Sequence, residues 1–96
     1  MKITAQVEYG LRIMVRIARC KDEKGLSIRQ LSEAEGLSAN YVAKLTRILR
    51  MKGLINSTRG HMGGYILAKP AASITINDAL KALGGRFFNN LIINHK

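Results

Sequence analysis

Residues 36–68 read GLSANYVAKLTRILRMKGLINSTRGHMGGYILA, and the fold turns on this stretch. Its apolar spacing changes midway from helical to strand-like. Gly36 stops one helix, Leu37 fills the turn, and Ser38 starts a second helix that runs to about Lys52. Val42, Leu45, Ile48 and Leu49 recur at helical spacing and make its buried stripe. Asn40, Ala43, Lys44, Arg47 and Met51 are left on or near the opposite face. Gly53 is placed to end the helix as its C′ residue. Leu54–Ser57 and Tyr65–Ala68 then read as short strands, and Thr58–Gly64 between them is a glycine-rich hairpin loop.

Upstream, residues 4–20 read as an amphipathic helix that Thr4 can cap. Val7, Leu11, Met14, Val15 and Ala18 share a face and are expected to point inward. Arg12, Arg16 and Arg19 form a stripe elsewhere, read as a solvated face, with Glu8 placed to pair with Arg12. Lys21–Gly25 is a polar loop. Ser27 and Gln30 fit a capping box for a short helix with Ile28, Leu31 and Ala34 inward. Downstream, Pro70 ends the second strand, and Thr75 caps a last helix over Ile76–Leu83 that Gly84 and Gly85 terminate. The expected fold class is mainly α with a small β-hairpin, a winged helix-turn-helix. Residues 1–85 form the domain. Residues 86–96 are a tail whose apolar residues fit two helical turns, although its asparagines weaken that reading.

Composition narrows the function. The chain has 96 residues, enough for one domain with a modest core. At 47% hydrophobic it is globular, and with 5% aromatics and no Trp its core is aliphatic. Sixteen Lys and Arg oppose six Asp and Glu, a formal net charge of +10. No acidic residue lies between Glu35 and Asp78, a span that carries Lys44, Arg47, Arg50, Lys52, Arg59 and Lys69. Such a field attracts polyanions, although net charge can also serve solubility alone. The single cysteine, Cys20, excludes an intrachain disulfide framework and a single-chain cysteine metal cage. The N-terminus has no signal-peptide pattern and the apolar runs are too short to span a bilayer, so a cytoplasmic protein is expected.

Taken in order, these elements suit double-stranded DNA. The second and third helices cross, so the third can enter a major groove wide enough to admit it. Its N-terminal residues then face base edges, and Lys44, Arg47 and Arg50 reach phosphates. The hairpin arginine, Arg59, lies where it can enter the narrower minor groove, and Gly60 lets the backbone approach closely.

The same residues resemble the Rrf-two-type bacterial transcriptional regulators, a family that includes the iron–sulfur cluster regulator, the nitric-oxide-sensing repressor and the cysteine-metabolism repressor. The resemblance covers residues 1–85 nearly without gaps. It rests on Tyr9-Gly10-Leu11-Arg12, on Leu37-Ser38-Ala39-Asn40-Tyr41-Val42, and on Lys52-Gly53-Leu54-Ile55. Its most distinctive part is Arg59-Gly60-x-x-Gly63-Gly64-Tyr65-x-Leu67-Ala68. It implies that Ser38, Asn40, Tyr41 and Lys44 meet DNA and that Arg59 is the wing contact; Ala39, Gly60 and His61, beside them in the sequence, are expected in the same interface. Many members carry a Glu where this sequence has Ala43, which cannot accept a hydrogen bond from cytosine. The resemblance further implies a repressor that binds a palindromic operator as a homodimer. Cluster-bearing members have three cysteines after this region and then a long dimerisation helix. This sequence has neither, so no iron–sulfur cofactor is expected, and the tail is too short to supply that helix in full. A truncated DNA-binding domain and a short, cluster-free member both remain open.

Other residues carry less. His61 reads as a loop residue or phosphate contact rather than a metal ligand, and His95 has no visible partner. Cys20 reads as a small helix-end hydrophobe, with Arg19 and Lys21 giving only weak grounds for a reactive thiol. No nucleophile–base spacing and no phosphate loop with its Lys-Ser/Thr pair is present, so no enzyme is expected. Two other readings stand beside DNA regulation. One is a protein-interaction module using the tail Phe87–Ile93. The other is a non-specific nucleic-acid binder.

Overall fold

Each helix starts where the sequence supplies a cap. The computed structural model describes residues 4–58 and 63–84. Helix α1 spans Ala5–Arg19, and the Thr4 hydroxyl accepts from the Val7 amide. Helix α2 spans Ile28–Glu35 behind a complete capping box of Ser27 and Gln30, and Gly36 closes it in the left-handed region (φ 67°). Helix α3 spans Ala39–Met51, with Ser38 accepting from the Tyr41 amide. It ends in a Schellman motif: Gly53 N–H donates to Arg50 C=O (3.0 Å) and Leu54 N–H to Leu49 C=O (3.0 Å). Strands β1 (Ile55–Ser57) and β2 (Tyr65–Leu67) pair antiparallel, with Ile55 opposite Leu67 and Ser57 opposite Tyr65. A single 3₁₀ turn at Ala71–Ser73 follows Pro70, a feature the sequence reading did not contain. Helix α4 covers residues 76–84. The tail at 86–96 lies outside the described residues.

Helix α3 packs on α1, α2 and β1, so it is held from three sides. The core gathers Val7, Ile13 and Ile17 of α1, Leu31 of α2, Val42, Leu45 and Leu49 of α3, Leu54 and Ile55 at the hairpin, and Leu83 of α4. Two inward faces differ from expectation. In α1 the buried residues are Val7, Gly10, Ile13, Met14 and Ile17, while Val15 and Ala18 are exposed and Leu11 is half-buried. The apolar arc of α1 is wider than its buried part. Gly10 decides which part is buried, because a Cβ there would enter the Leu83 side chain of α4. In α2 Ala34 is exposed, and Glu35 packs toward α1 instead.

A third segment joins the hairpin. Leu26 bridges Tyr65, with Leu26 N–H donating to Tyr65 C=O (3.1 Å) and Tyr65 N–H to Leu26 C=O (2.8 Å). The Thr58 hydroxyl accepts from the Gly64 amide (2.5 Å) and lies 3.0 Å from the Lys24 carbonyl oxygen. The base of the wing is therefore tied to the loop before α2.

Thr75 and Asp78 cap α4 reciprocally: Thr75 N–H donates to the Asp78 carboxylate and Asp78 N–H to the Thr75 hydroxyl, both at 3.0 Å. The Thr75 backbone and side-chain hydrogen bonds, helped by Lys69 and Lys81, hold the Asp78 carboxyl below the usual aspartate range. A depressed carboxyl adds stability that is present above its unfolded pKa and lost as pH falls through its folded pKa. NMR titration of the Asp78 carboxyl is expected to show a low midpoint that rises in Thr75→Ala. An unchanged midpoint would contradict the cap.

Candidate nucleic-acid interface

The exposed side of α3 follows from helical period. Asn40, Lys44 and Arg47 are spaced by four and three residues, so they lie along one stripe, and all three are exposed. Arg50 is exposed on an adjoining line of the helix. Ser38 and Ala39 are exposed at its N-terminus, where the Ser38 hydroxyl is engaged as the cap. Val42, Leu45 and Leu49 are buried beneath, so a rigid core carries the stripe. Thr46 is buried as well, which its polarity did not suggest. Its hydroxyl bonds the carbonyls of Val42 (3.0 Å) and Ala43 (3.1 Å) in its own helix, so burial leaves nothing unsatisfied.

Tyr41 occupies a different setting from the rest of the stripe. It is half-buried, with its ring edge-on to Tyr9 of α1 at 6.3 Å between centroids. The Arg12 guanidinium lies 5.6 Å over the Tyr9 ring. Tyr9 thus braces the first turn of α3 against α1, a contact no local pattern reveals. Arg59, Gly60 and His61 lie outside the described residues. The structure describes the hairpin up to Thr58 and again from Gly63 onward.

The electrostatics of this side are one-signed. Among the described residues, Lys44, Arg47 and Arg50 make no ion pair, and the described ion pairs lie on α1 and α2. Among the described residues, the cations of α3 are thus uncompensated. Arg12 and Arg16 behave otherwise. They were expected on a solvated face, yet both fold onto Glu35.

Comparison with known proteins agrees with this arrangement. Residues 3–94 match the Rrf2 family, described as iron-dependent transcriptional regulators. Protein rrf2 of Nitratidesulfovibrio vulgaris is 41% identical over 83 residues, covering 86% of this chain and 55% of that protein. The HTH-type transcriptional regulator CymR of Bacillus subtilis is 36% identical over 85 residues, covering 88% of this chain and 62% of that one. The solved structure of CymR, the global cysteine regulator of B. subtilis, superposes with a TM-score of 0.82 at 35% identity, over 88% of this chain and 66% of that one. The chain therefore spans somewhat over half the length of the curated relatives it matches.

The family description names iron, and the residues at hand do not fit an iron–sulfur cluster. The sequence holds one cysteine, and among the described residues no three His, Cys, Asp or Glu side chains gather. Nor is any described helix long and apolar enough to cross a membrane. With its winged helix-turn-helix architecture and its match over residues 3–94, the chain belongs to the Rrf2 family of transcriptional regulators, a family of regulators and not of enzymes.

Proposed function

We propose that this chain binds double-stranded DNA sequence-specifically, as a homodimer on a palindromic operator, and acts as a transcriptional repressor. The observation that carries the reading is the exposed cationic stripe of α3, free of ion pairs among the described residues and presented by a helix that is packed on three sides. In the proposed complex, Ser38, Ala39, Asn40 and Tyr41 meet base edges at the entry of the major groove. Lys44, Arg47 and Arg50 contribute phosphate contacts. Arg59, with Gly60 and His61, supplies the wing contact.

The homodimer has separate support. Val15 (48% exposed) and Ile76 (73% exposed) border an apolar cleft of about 150 Å³ between α1 and α4, floored by Leu11, Met14 and Ile74. A contiguous apolar patch of this kind suits self-association. The repressor sense rests on the resemblance alone. We further propose that DNA binding by these 96 residues needs no iron, so a chelator is expected to leave it unchanged, as an electrophoretic shift assay would show.

Selection of a random duplex pool on the purified chain tests the main reading. An enriched inverted repeat is expected, with half-sites about 34–36 Å apart centre to centre. Arg59→Ala is expected to weaken binding to that operator about tenfold and relax preference beneath the wing. Retention of bulk DNA without enrichment would make the chain a non-specific binder. No retention at all would favour a protein-interaction module.

A further inference from the structure

Glu35 closes α2, one position before the left-handed Gly36 that opens the turn into α3. It is also the last acidic residue before the cationic stretch. Its side chain is only 7% exposed, because two arginines of α1 fold over it. Arg16 pairs with one carboxylate oxygen and donates a further hydrogen bond to the Ala34 carbonyl (3.3 Å). Arg12 lies 3.8 Å from the other oxygen and pairs with Glu8 at 3.0 Å. Both arginines remain about half exposed to solvent, at 55% and 45%.

Their position gives this arrangement a consequence for DNA. Arg12 covers Tyr9, and Tyr9 touches Tyr41 in the first turn of α3. Arg12 is therefore two contacts away from the residues proposed to enter the groove. The guanidinium lies 5.6 Å from the Tyr9 ring and that ring 6.3 Å from the Tyr41 ring, so a released Arg12 side chain extends from beside the first turn of α3. Arginine is long, always charged and well shaped for phosphate. Freed from Glu35, Arg16, and Arg12 with only the exposed Glu8 left to hold it, would add contacts that are blind to sequence and so raise affinity for every duplex alike.

We propose that Glu35 is a specificity residue, which holds Arg12 and Arg16 against the end of α2 and so keeps them off the DNA backbone. Discrimination is a difference of affinities, and withdrawing indiscriminate contacts enlarges it as surely as adding selective ones. The proposal rests on the DNA-binding reading above. A merely structural role predicts the opposite sign, since loosening the turn would weaken binding to all duplexes.

The test uses the full chain, a random-sequence duplex and the selected operator, with affinities measured from about 50 to 300 mM salt. Glu35→Gln removes the charge with little change of shape, keeps an amide oxygen for Arg16 to donate to, and leaves uncompensated only arginines that are themselves about half exposed to solvent, so the variant is expected to fold, which circular dichroism checks. Its affinity for the random duplex is expected to rise on the order of tenfold at the low-salt end, and the log–log salt slope to steepen by about one to two. The ratio of operator to random affinity is expected to fall. Adding Arg12→Gln and Arg16→Gln in the same chain should return slope and ratio toward the original. Unchanged random-duplex affinity and slope in Glu35→Gln would overturn the proposal. So would an equal loss on both duplexes. If the unsubstituted chain bound neither duplex at low salt, the DNA reading itself would fall, and the proposal with it.

Discussion

Gly64→Ala is expected to destabilise the chain by about 2–3 kcal/mol, through overpacking against backbone that cannot give way. A Cβ built at Gly64 would lie 2.6–2.8 Å from the backbone C, O and N of Leu26. These atoms belong to a segment tied to the hairpin by both Leu26–Tyr65 hydrogen bonds and by Thr58. The methyl must push residues 24–26 away from the wing, and those bonds stretch together. For a domain of this size the melting midpoint should fall roughly 10–20 °C, which circular dichroism would follow.

Other glycines calibrate the effect. Gly36 has nothing within 4 Å of a built Cβ, and only its φ of 67° opposes a side chain. Gly36→Ala should therefore cost about 1–2 kcal/mol, and Gly36→Asn less, since Asn tolerates that region better. At Gly10 the obstacle is a side chain, Leu83, rather than backbone, but it is itself buried, so a methyl there would displace the core around it. If Gly64→Ala melted within a few degrees of the parent chain, the wing base would not be held as described.

What could be read from the sequence was mostly what is local. Thr4, Ser27 with Gln30, Ser38 and Gly53 mark helix ends through bonds to residues a few positions away, and each acts as its residue type suggests. The exposed stripe Asn40, Lys44 and Arg47 follows from helical period, and it too was legible. The inward face of α1 was not, because apolar residues cover more of that helix than the core uses. The choice between Ile13 and Val15 is made by α4, distant in sequence, where Leu83 closes on Gly10. Glu35 is illegible for the same reason. Its environment is set by arginines on another helix, and a charged residue at a helix end ordinarily reads as solvated. The Leu26–Tyr65 bridge joins segments far apart in the chain, and no turn signal announces it.

Leu45→Ala is expected to have the largest effect of any single truncation considered, about 3–5 kcal/mol. Leu45 is fully buried on α3, the helix that contacts α1, α2 and β1, so the cavity opens where three elements meet. Helices cannot easily close a void that several packed neighbours keep open, which places the cost toward the upper end. Small domains have total stabilities near the low end of about 5–15 kcal/mol, so most of the folding free energy would be lost. Met51→Ala, on the same helix but 72% exposed, should stay within about 0.5 kcal/mol. The pair of variants also separates folding from recognition. Leu45 points away from the cationic stripe, so Leu45→Ala that is still folded at low temperature should bind operator DNA as the parent does. Saturating operator should then raise its melting midpoint by mass action, since only the folded chain presents the stripe. A Leu45→Ala chain that stays folded in the cold but fails to bind would mean that packing beneath α3 sets the recognition geometry as well as its stability.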